Sequence, residues 1–464
     1  MSLNSALAAG ASGLISNSSA LAGISDNIAN VNTVGYKRVN TNFFPNYTLN
    51  SGSGDVRYAA GGTSTLSKLD VSTSGLLNPA SSPTSIAIDG NGFFVVRPNA
   101  QDVTGFDPVM FTRSGNFETD SAGFLRNAAG MYLYGWPVQA DGTVNANPSN
   151  MDQLEAINLS NIGGAAEATS SVRINANLQA SQDVSPAAAT YDSADPAFNM
   201  ASGAVPADFQ RTIQIYDSQG GVSSVTLSLL KSANPNEWHA ELHVSPASDV
   251  TTGAGFNSGQ IATGVLAFDT NGQINAGATT LPSTLSFLAS NNAGPLGAGQ
   301  FQWAAGTGVG AQTIQLDLGA AGNPGGITQY DSPSTLNSTR VNGAIFGAFA
   351  SVDVDTEGFV SARFTNGVVR RIYQIPIATV PNPNGMATAG GSAFFVTPES
   401  GAFTLNVPGA GASGRIAPKA LENSNVDIAT EFSNLIITQR AYSASSRIIT
   451  TADEMMAEAI QMKR

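Results

Sequence analysis

The sequence of 464 residues contains no cysteine, only two histidines and few charged residues. Without cysteine, no disulfide framework or thiol chemistry is expected. With two histidines, neither a Ser-His-Asp nor a Cys-His catalytic set is plausible. Paired carboxylates for glycoside hydrolysis stay open, because such pairs form in space and not in sequence. We therefore predict a protein that is not an enzyme and binds no metal or other cofactor.

Other features are also scarce. Only 11% of the residues are charged, against roughly 25% in a typical globular domain. No apolar run approaches the length of a membrane span, and the N-terminus lacks the basic and apolar regions of a signal peptide. The net charge of −13 argues against nucleic acid and anionic membranes as partners. On these grounds alone the chain would be assigned to the cytoplasm.

Both ends of the chain carry heptad patterns, which are typical of helices that pack along other helices. Gly10, Gly13 and Gly23 each weaken the first helix by about 1 kcal/mol relative to alanine, although small residues over 8–13 would let a neighbouring helix approach closely. We predict helices within 1–34 and 422–464, the second of them preceded by a capping box at 424–427. The heptad positions are Leu3, Leu7, Leu14, Leu21, Ile24, Ile28, Val31, Ile428, Phe432, Leu435, Tyr442, Ile449, Met456 and Ile460.

The two terminal helices could pair within one monomer as a coiled coil, or could pair and also pack against other copies. The second possibility is favoured, because two interrupted heptad faces leave more apolar surface than they can cover between them. We expect these helices to become ordered only when neighbouring copies cover them. Gly35 is a candidate left-handed C-cap of the first helix.

The middle of the chain has the alternating two-residue period of β-strands. Five Asp-x-x-Gly segments separate the apolar runs. Asp can accept hydrogen bonds from the turn backbone and Gly can take a positive φ, so these segments predict hairpins. Residues 353–358 partly resemble a calcium loop, but the later ligands are lacking, which favours a turn. The five segments are residues 89–92, 120–123, 217–220, 269–272 and 355–358.

These patterns predict a multidomain α+β protein with discontinuous terminal coiled-coil helices and nested, antiparallel, all-β domains. Residues 35–75 are expected to form an extended linker that could include one short hairpin. An inner β domain is expected over 76–160 and 335–410, with an outer β domain inserted at 161–334. Such nesting would allow the two terminal helices to lie side by side.

A cluster with both histidines occurs at His239, Glu241 and His243. On a strand these three side chains share one face, opposite Trp238 and Leu242. Three potential metal ligands on one face could bind zinc. A solvated polar face of an amphipathic strand is the favoured interpretation.

Several segments resemble the bacterial flagellar rod and hook family of axial proteins. The N-terminal segment I-S-D-N-I-A-N-V-N-T-V-G-Y-K at 24–37 and the C-terminal segments at 421–427, 431–432, 438–442 and 451–455 resemble the family's terminal signatures. The segments I-D-G-N-G-F-F-V at 88–95 and F-T-R-S-G-N-F at 111–117 resemble its shared β region. Residues 161–334 carry no recognised motif.

The long β insertion and the segments at 133–138 and 381–385 are similar to those of hook subunits; rod subunits are shorter. The resemblance implies export through the flagellar type III apparatus and an extracellular location in the flagellum, in place of the cytoplasm. It also implies self-assembly into an open, curved helical tube that passes torque from rod to filament, with terminal helices inside and β domains outside. Expected partners are other copies of the chain and the rod, hook–filament junction and hook-cap proteins.

The candidate subunit-interface residues are the heptad positions together with residues of the N-terminal motif. Two alternatives remain: a distal rod or hook-associated axial protein with the same termini, and a secreted β-rich adhesin or glycan-binding module. The motif residues are Asn27, Asn30, Asn32, Gly35 and Tyr36.

Overall fold

A computed structural model describes residues 3–49, 58–101, 107–139, 142–146, 151–160, 162–319 and 325–462. The chain forms two compact units. The first unit comprises Met1–Ile162, Ser351–Ala362 and Arg370–Arg464, and the second comprises Gly163–Ala350 and Arg363–Val369. Neither of the two α-helices in the described residues combines the length and apolar character that a membrane crossing requires.

The first helix, α1, spans Leu3–Ala29 and ends five residues before the predicted limit. A long antiparallel hairpin follows, made of β1, Val39–Leu49, and β2, Tyr58–Leu69. The hairpin that the sequence suggested therefore forms, but it is long and occupies most of the segment predicted as an extended linker. The hairpin packs along α1, where Ser16 Oγ donates to Thr63 O at 3.1 Å. This support is non-local, so a pattern read along the sequence does not reveal it.

The rest of the first unit begins with eight short strands. In chain order they are β3 Leu77–Pro79, β4 Ile86–Asp89, β5 Phe94–Arg97, β6 Met110–Thr112, β7 Phe117–Thr119, β8 Leu125–Asn127, β9 Tyr132–Pro137 and β10 Glu155–Ala156.

The second unit contains thirteen strands among its described residues, and 3-10 turns at Pro186–Ala189 and Ala247–Asp249. The strands are β11 Ala165–Glu167, β12 Ser171–Gln179, β13 Phe209–Tyr216, β14 Val222–Lys231, β15 Glu237–Ser245, β16 Val250–Thr252, β17 Gln260–Ala267, β18 Thr284–Leu288, β19 Phe301–Trp303, β20 Gln312–Asp317, β21 Ile327–Tyr330, β22 Thr335–Val341 and β23 Ala344–Gly347.

The remaining elements end in the second helix. They are β24 Phe349–Val354, β25 Phe359–Phe364, β26 Val369–Gln374, β27 Ile377–Thr379, β28 Ala387–Gly390, β29 Ala393–Phe395, β30 Thr404–Asn406, β31 Arg415–Pro418, β32 Ala420–Glu422 and α2 Ile428–Met462.

An eleven-stranded sheet dominates the β part of the first unit, with β24-β25-β26-β9-β5-β6-β29-β28 in order along its main path. In the second unit, one sheet has the order β16-β19-β18-β20-β12-β21 and another has the order β13-β14-β15-β17. The prediction of purely antiparallel sheets was incomplete, because β12 pairs in parallel with β20 and β21, and β18 with β19. Strand β22 pairs with β12, so residues 335–341 belong with the insertion and not with the inner domain as predicted.

Four of the five predicted Asp-x-x-Gly turns form in the same way. In the turn between β24 and β25, for example, Asp355 Oδ1 accepts hydrogen bonds from Glu357 N at 3.0 Å and Phe359 N at 2.9 Å. Gly358 has a φ of +82°. Asp120, Asp217 and Asp269 accept the corresponding pair of backbone bonds. Residues 353–358 therefore form a hairpin turn, as favoured over a calcium loop.

The fifth turn, at 89–92, does not close a hairpin. Strand β4 pairs with β31, whereas β5 pairs with β6 and β9, so the two strands separate after the turn. Phe93 N donates instead to Ala378 O at 2.8 Å. The sequence of this turn is suited to a hairpin, but the partners of its two strands are chosen by contacts distant in sequence.

Candidate assembly interface

The helices α1 and α2 pack against each other within one chain through small residues. Because Gly10 and Gly13 have no side chain, α2 comes close to α1; a Cβ atom at Gly10 would lie 3.0 Å from Ile449 Cγ1, and one at Gly13 would lie 2.9 Å from Ser445 Oγ. The predicted leucine track is only half-buried in the chain. The buried positions of α1 are Gly10, Gly13, Ser16, Ala20, Gly23 and Asn27.

Helix α2 presents many large apolar side chains to solvent. Ile437 is 65% exposed and Phe432 is 51% exposed. This many exposed large apolar side chains on one helix is typical of a surface that another chain covers. The other large apolar residues of α2 that are exposed are Ile428, Ile436, Tyr442, Ile448, Met455, Met456, Ile460 and Met462.

The predicted interface residues therefore fall into three groups in the isolated chain. Asn32 is exposed, as are five heptad positions of α2: Ile428, Phe432, Tyr442, Met456 and Ile460. Asn27 and Gly35 are buried by residues of the same chain, and the side chain of Leu3 lies outside the described part. The half-buried residues are Leu7, Leu14, Leu21, Ile24, Ile28, Asn30, Val31, Tyr36, Leu435 and Ile449.

Asn27 joins three parts of the chain at the base of the helix pair. Its Nδ2 donates to Val39 O at 2.9 Å and to Glu431 Oε2 at 3.3 Å. Its Oδ1 accepts from Val39 N at 2.8 Å and from the Tyr36 hydroxyl at 3.2 Å. Arg38 Nε donates to Glu431 Oε1 at 2.5 Å. Asn27 thus holds α1, the start of β1 and the first turn of α2 together.

Gly35 has a structural role that only glycine can fill. The chain turns here with a φ of +68°, and a Cβ atom would lie 2.6 Å from Ser114 N. Gly35 N donates to Glu422 O at 2.8 Å. The residue lies six positions beyond the end of α1, so it is not the C-cap that we predicted, although its left-handed conformation is as expected.

Beside Gly35 lies a buried ionic cluster, which we call the clasp, formed by Lys37, Arg113 and Glu422. Lys37 Nζ lies 2.7 Å from Glu422 Oε1, and Arg113 Nη1 lies 3.0 Å from Glu422 Oε2. Lys37 Nζ also donates to Thr73 O at 2.7 Å, and Gly75 N donates to Glu422 Oε1 at 2.9 Å.

Burial lowers the pKa of Lys37, and the Glu422 carboxylate opposes this effect. Opposite charges and further hydrogen bonds are what a buried ion pair requires to be tolerated. The clasp therefore fixes the N-terminal segment, the end of β6 in the eleven-stranded sheet and the C-terminal segment at one point.

The start of α2 differs from the predicted capping box. Asp427 is the N-cap, with its Oδ1 accepting from Thr430 N at 2.7 Å, and Ser424 Oγ accepts from Val426 N in the preceding turn. The hydrogen bond from Thr430 lowers the pKa of Asp427. An acidic residue at this end of a helix is favourable, because the backbone N–H groups point toward it.

Four family profiles match successive parts of the chain. They are "Flagella basal body rod protein" at 7–37, "Flagellar hook protein FlgE/F/G D1 domain" at 87–177, "Flagellar basal body protein FlaE D2 domain" at 177–344 and "Flagellar basal body rod FlgEFG protein C-terminal" at 417–462. The flagellar hook protein FlgE of Caulobacter vibrioides is 36% identical, and the alignment covers all of both chains. This chain belongs to the flagellar hook protein family.

Two other flagellar hook proteins also align with this chain. FlgE of Brucella suis is 31% identical over the full length of both chains, and FlgE of Salmonella typhimurium is 28% identical over 82% of each. A crystal structure of the Helicobacter pylori flagellar hook protein FlgE2 gives a TM-score of 0.45 with 16% identity, and covers 75% of this chain and all of that one. The two full-length relatives that are more than 30% identical confirm the family resemblance predicted from the sequence motifs.

The sequence patterns did not identify the residues that bind the termini of this hook-family chain together. Arg38, Arg113, Glu422, Asn425 and Glu431 all lie in or beside the motifs that carry the resemblance, which was the available signal. Asn425 Oδ1 accepts from Arg38 N at 2.7 Å, for instance. Such partners lie hundreds of positions apart, so no local spacing reveals them.

The cluster at His239, Glu241 and His243 does lie on one face of β15, as predicted. That face is not solvated, because Glu241 is fully buried and His243 is 8% exposed. The prediction of a solvated polar face was wrong, since residues 185–207 cover it. Within the described residues, no group of three or more His, Asp or Glu side chains is arranged to hold a metal ion.

Proposed function

We propose that this chain is a structural subunit of the bacterial flagellar hook, which self-assembles into an open helical tube. The tube is curved, joins the rod to the filament outside the cell and transmits torque through the bend. The observation that carries the proposal is the large number of exposed apolar side chains on α2. Relatives that are named flagellar hook proteins and align over the whole chain support it.

The exposed residues of α2 are the natural contacts between copies. Burying one isoleucine or phenylalanine side chain contributes roughly 1.5–3 kcal/mol. Contacts between different surfaces of identical subunits extend into an open filament when the rotation between neighbours does not close a ring. Other axial proteins, namely rod, hook–filament junction and hook-cap subunits, would bind at the ends of the tube. The flagellar type III apparatus would export the chain.

Electron microscopy of the purified full-length chain, concentrated until it polymerises, tests the proposal. We expect curved tubes. Ile437→Gln should raise the concentration needed for polymerisation by about tenfold or more, because the glutamine loses most of the apolar contribution. Ser443→Gln, at another exposed position of α2, is the matched control and should leave this concentration unchanged.

Other outcomes separate the alternatives. Short, straight assemblies would favour a distal rod subunit over a hook subunit. A chain without α1 and α2 should remain a soluble monomer. If both the full chain and the trimmed chain bound glycans, the adhesin or glycan-binding interpretation would replace the proposed hook function.

A further inference from the structure

The outer face of the sheet β13-β14-β15-β17 is polar but is covered. Its buried residues include Ser228, Glu241 and Gln260, each 0% exposed. The opposite face of β15 presents Trp238 and Leu242 to the main core of the second unit. The cover consists of residues 185–207, which we call the strap.

The strap has a small apolar core of its own. Met200 and Val205 of the strap pack on Leu230 of β14, and partly buried Ala187 and Tyr191 lie against them. This cluster is separate from the large core on the other face of the sheet. Loss of the strap's contacts therefore leaves the main core of the second unit intact.

Both ends of the strap are held by one residue of β14. Lys231 Nζ donates to Ala180 O just before the strap, and Lys231 N donates to Asp208 Oδ2 at 2.9 Å just after it. Between these ends, Gln260 Nε2 donates to Ser193 O at 3.0 Å, and Asn257 Nδ2 donates to Ala194 O at 2.7 Å. The ends are thus anchored, and the middle is held by a few polar contacts.

Glu241 makes the central contacts between the sheet and the strap. Its carboxylate accepts from Met200 N at 3.3 Å and from Ala201 N at 2.8 Å. Tyr191 also lies near Glu241, and its pKa is raised, first by burial and then by the charge of this carboxylate. Hydrogen bonds to an ionised acceptor are roughly twice as strong as neutral ones. Glu241 is therefore the main polar attachment of the strap.

The polar groups beneath the strap are not all satisfied. Asn199 Nδ2, Ser228 Oγ and His243 Nδ1 are buried and have no hydrogen-bond partner among the described residues. A buried polar atom without a partner is unfavourable relative to the same atom in water. Release of the strap would hydrate these atoms, so opening costs less here than at an apolar face.

We propose that the strap is a locally opening lid on the second unit, latched by Glu241 and released without unfolding of the sheet beneath. Acid favours the open state, because both histidines under the strap are held neutral by burial, which lowers the pKa of His239 and of His243. The open strap lets them take up protons. The other ionisable groups on the elements around Glu241 are Tyr191, Asp192, Asp195, Asp208, Lys231 and Glu237.

Hydrogen–deuterium exchange of the full-length chain, read by mass spectrometry, tests this inference. Peptides from 196–203 should exchange faster than peptides from β14 and β17, which report on the sheet. Glu241→Gln should speed exchange in 196–203 by about tenfold or more. Glutamine offers one neutral amide oxygen as an acceptor, whereas the carboxylate offers two negatively charged oxygens. Glu237→Gln, on the same strand, is the matched control and should change neither region.

A second variant tests whether the effect of Glu241→Gln could come from general unfolding. Tyr191→Phe removes the buried hydroxyl near Glu241 but keeps the ring that packs on His239, with centroids 4.7 Å apart. It should accelerate exchange in the strap alone, and acid should do the same after correction for the intrinsic rate. Equal protection of strap and sheet in the native chain, or equal acceleration of both in Glu241→Gln, would overturn the proposal.

Discussion

The second unit and the terminal helices use their large apolar residues in opposite ways. In the second unit, Trp238, Phe287 and Trp303 are buried, and Phe287 stacks on Trp303 with ring centroids 4.4 Å apart. In α2, residues of similar size such as Phe432 and Ile437 remain at least half exposed. One copy of the chain covers the large apolar residues of the second unit, whereas it leaves those of α2 exposed.

The difference follows from the size of the side chains at the internal contacts of each region. Stabilisation by burial is roughly proportional to apolar area, at about 25 cal/mol per Å². On the α1 side, the contact with α2 uses Gly10 and Gly13, which supply little area. The same small residues let the helices lie close together and leave the larger side chains of α2 for other contacts.

Substitution of one large apolar residue in each region should give the largest difference between the two regions in the loss of unfolding free energy. Trp238→Ala should lower the free energy of unfolding by about 3–5 kcal/mol, because it leaves a cavity in a fully packed core. Ile437→Ala should lower that of the monomer by less than about 1 kcal/mol, as is usual for exposed positions. Urea unfolding of the dilute monomer, followed by circular dichroism, measures both. Equal losses would mean that α2 is as well packed as the sheet.

Two glycines in the terminal region sharpen the comparison. Gly35→Ala should cost at least about 1–3 kcal/mol, because alanine is strained at this φ and its Cβ would meet the backbone of Ser114. Gly13→Ala should change stability by less than about 1 kcal/mol, since the gain in helix propensity offsets a contact with the movable Ser445 hydroxyl. Thermal unfolding of both variants checks this order; a larger loss at Gly13 would contradict it.

A smaller effect should come from pH. The folded-state pKa values of His239 and His243 lie below the ordinary value of 6.5, so the unfolded second unit binds more protons. Its stability should then fall as the pH drops below 6.5 toward the folded-state values. His243→Gln should reduce this dependence in calorimetry. The terminal helices contain no histidine, so their unfolding should lack this component; an identical dependence there would argue against the assignment.

Local chemistry predicted much of this architecture. The helices at both ends follow from heptad spacing, and four hairpin turns follow from Asp and Gly three positions apart. The same reasoning failed at 89–92, where the flanking strands β4 and β5 pair with distant partners. It also failed at β15, where alternation was predicted correctly but the strap that covers Glu241 comes from another part of the chain.

The candidate site was predictable in kind but not in detail. The apolar positions of α2 were identified from their period, and several of them are exposed in the single chain, which is compatible with the proposed contacts between copies. Asn27 and Gly35 belong to the same motif but serve contacts inside the chain. A motif indicates that its residues share a structural role. Only the packing shows which of their side chains are buried within the chain.

The clasp has a consequence for the order of events during synthesis. Lys37 and Glu422 are separated by 385 positions, and Arg113 and Glu422 by 309. Before residue 422 has been synthesised, the nascent polypeptide contains Lys37 and Arg113 but lacks the Glu422 carboxylate that pairs with both. The N-terminal segment therefore cannot form these ion pairs until almost the whole chain has been translated.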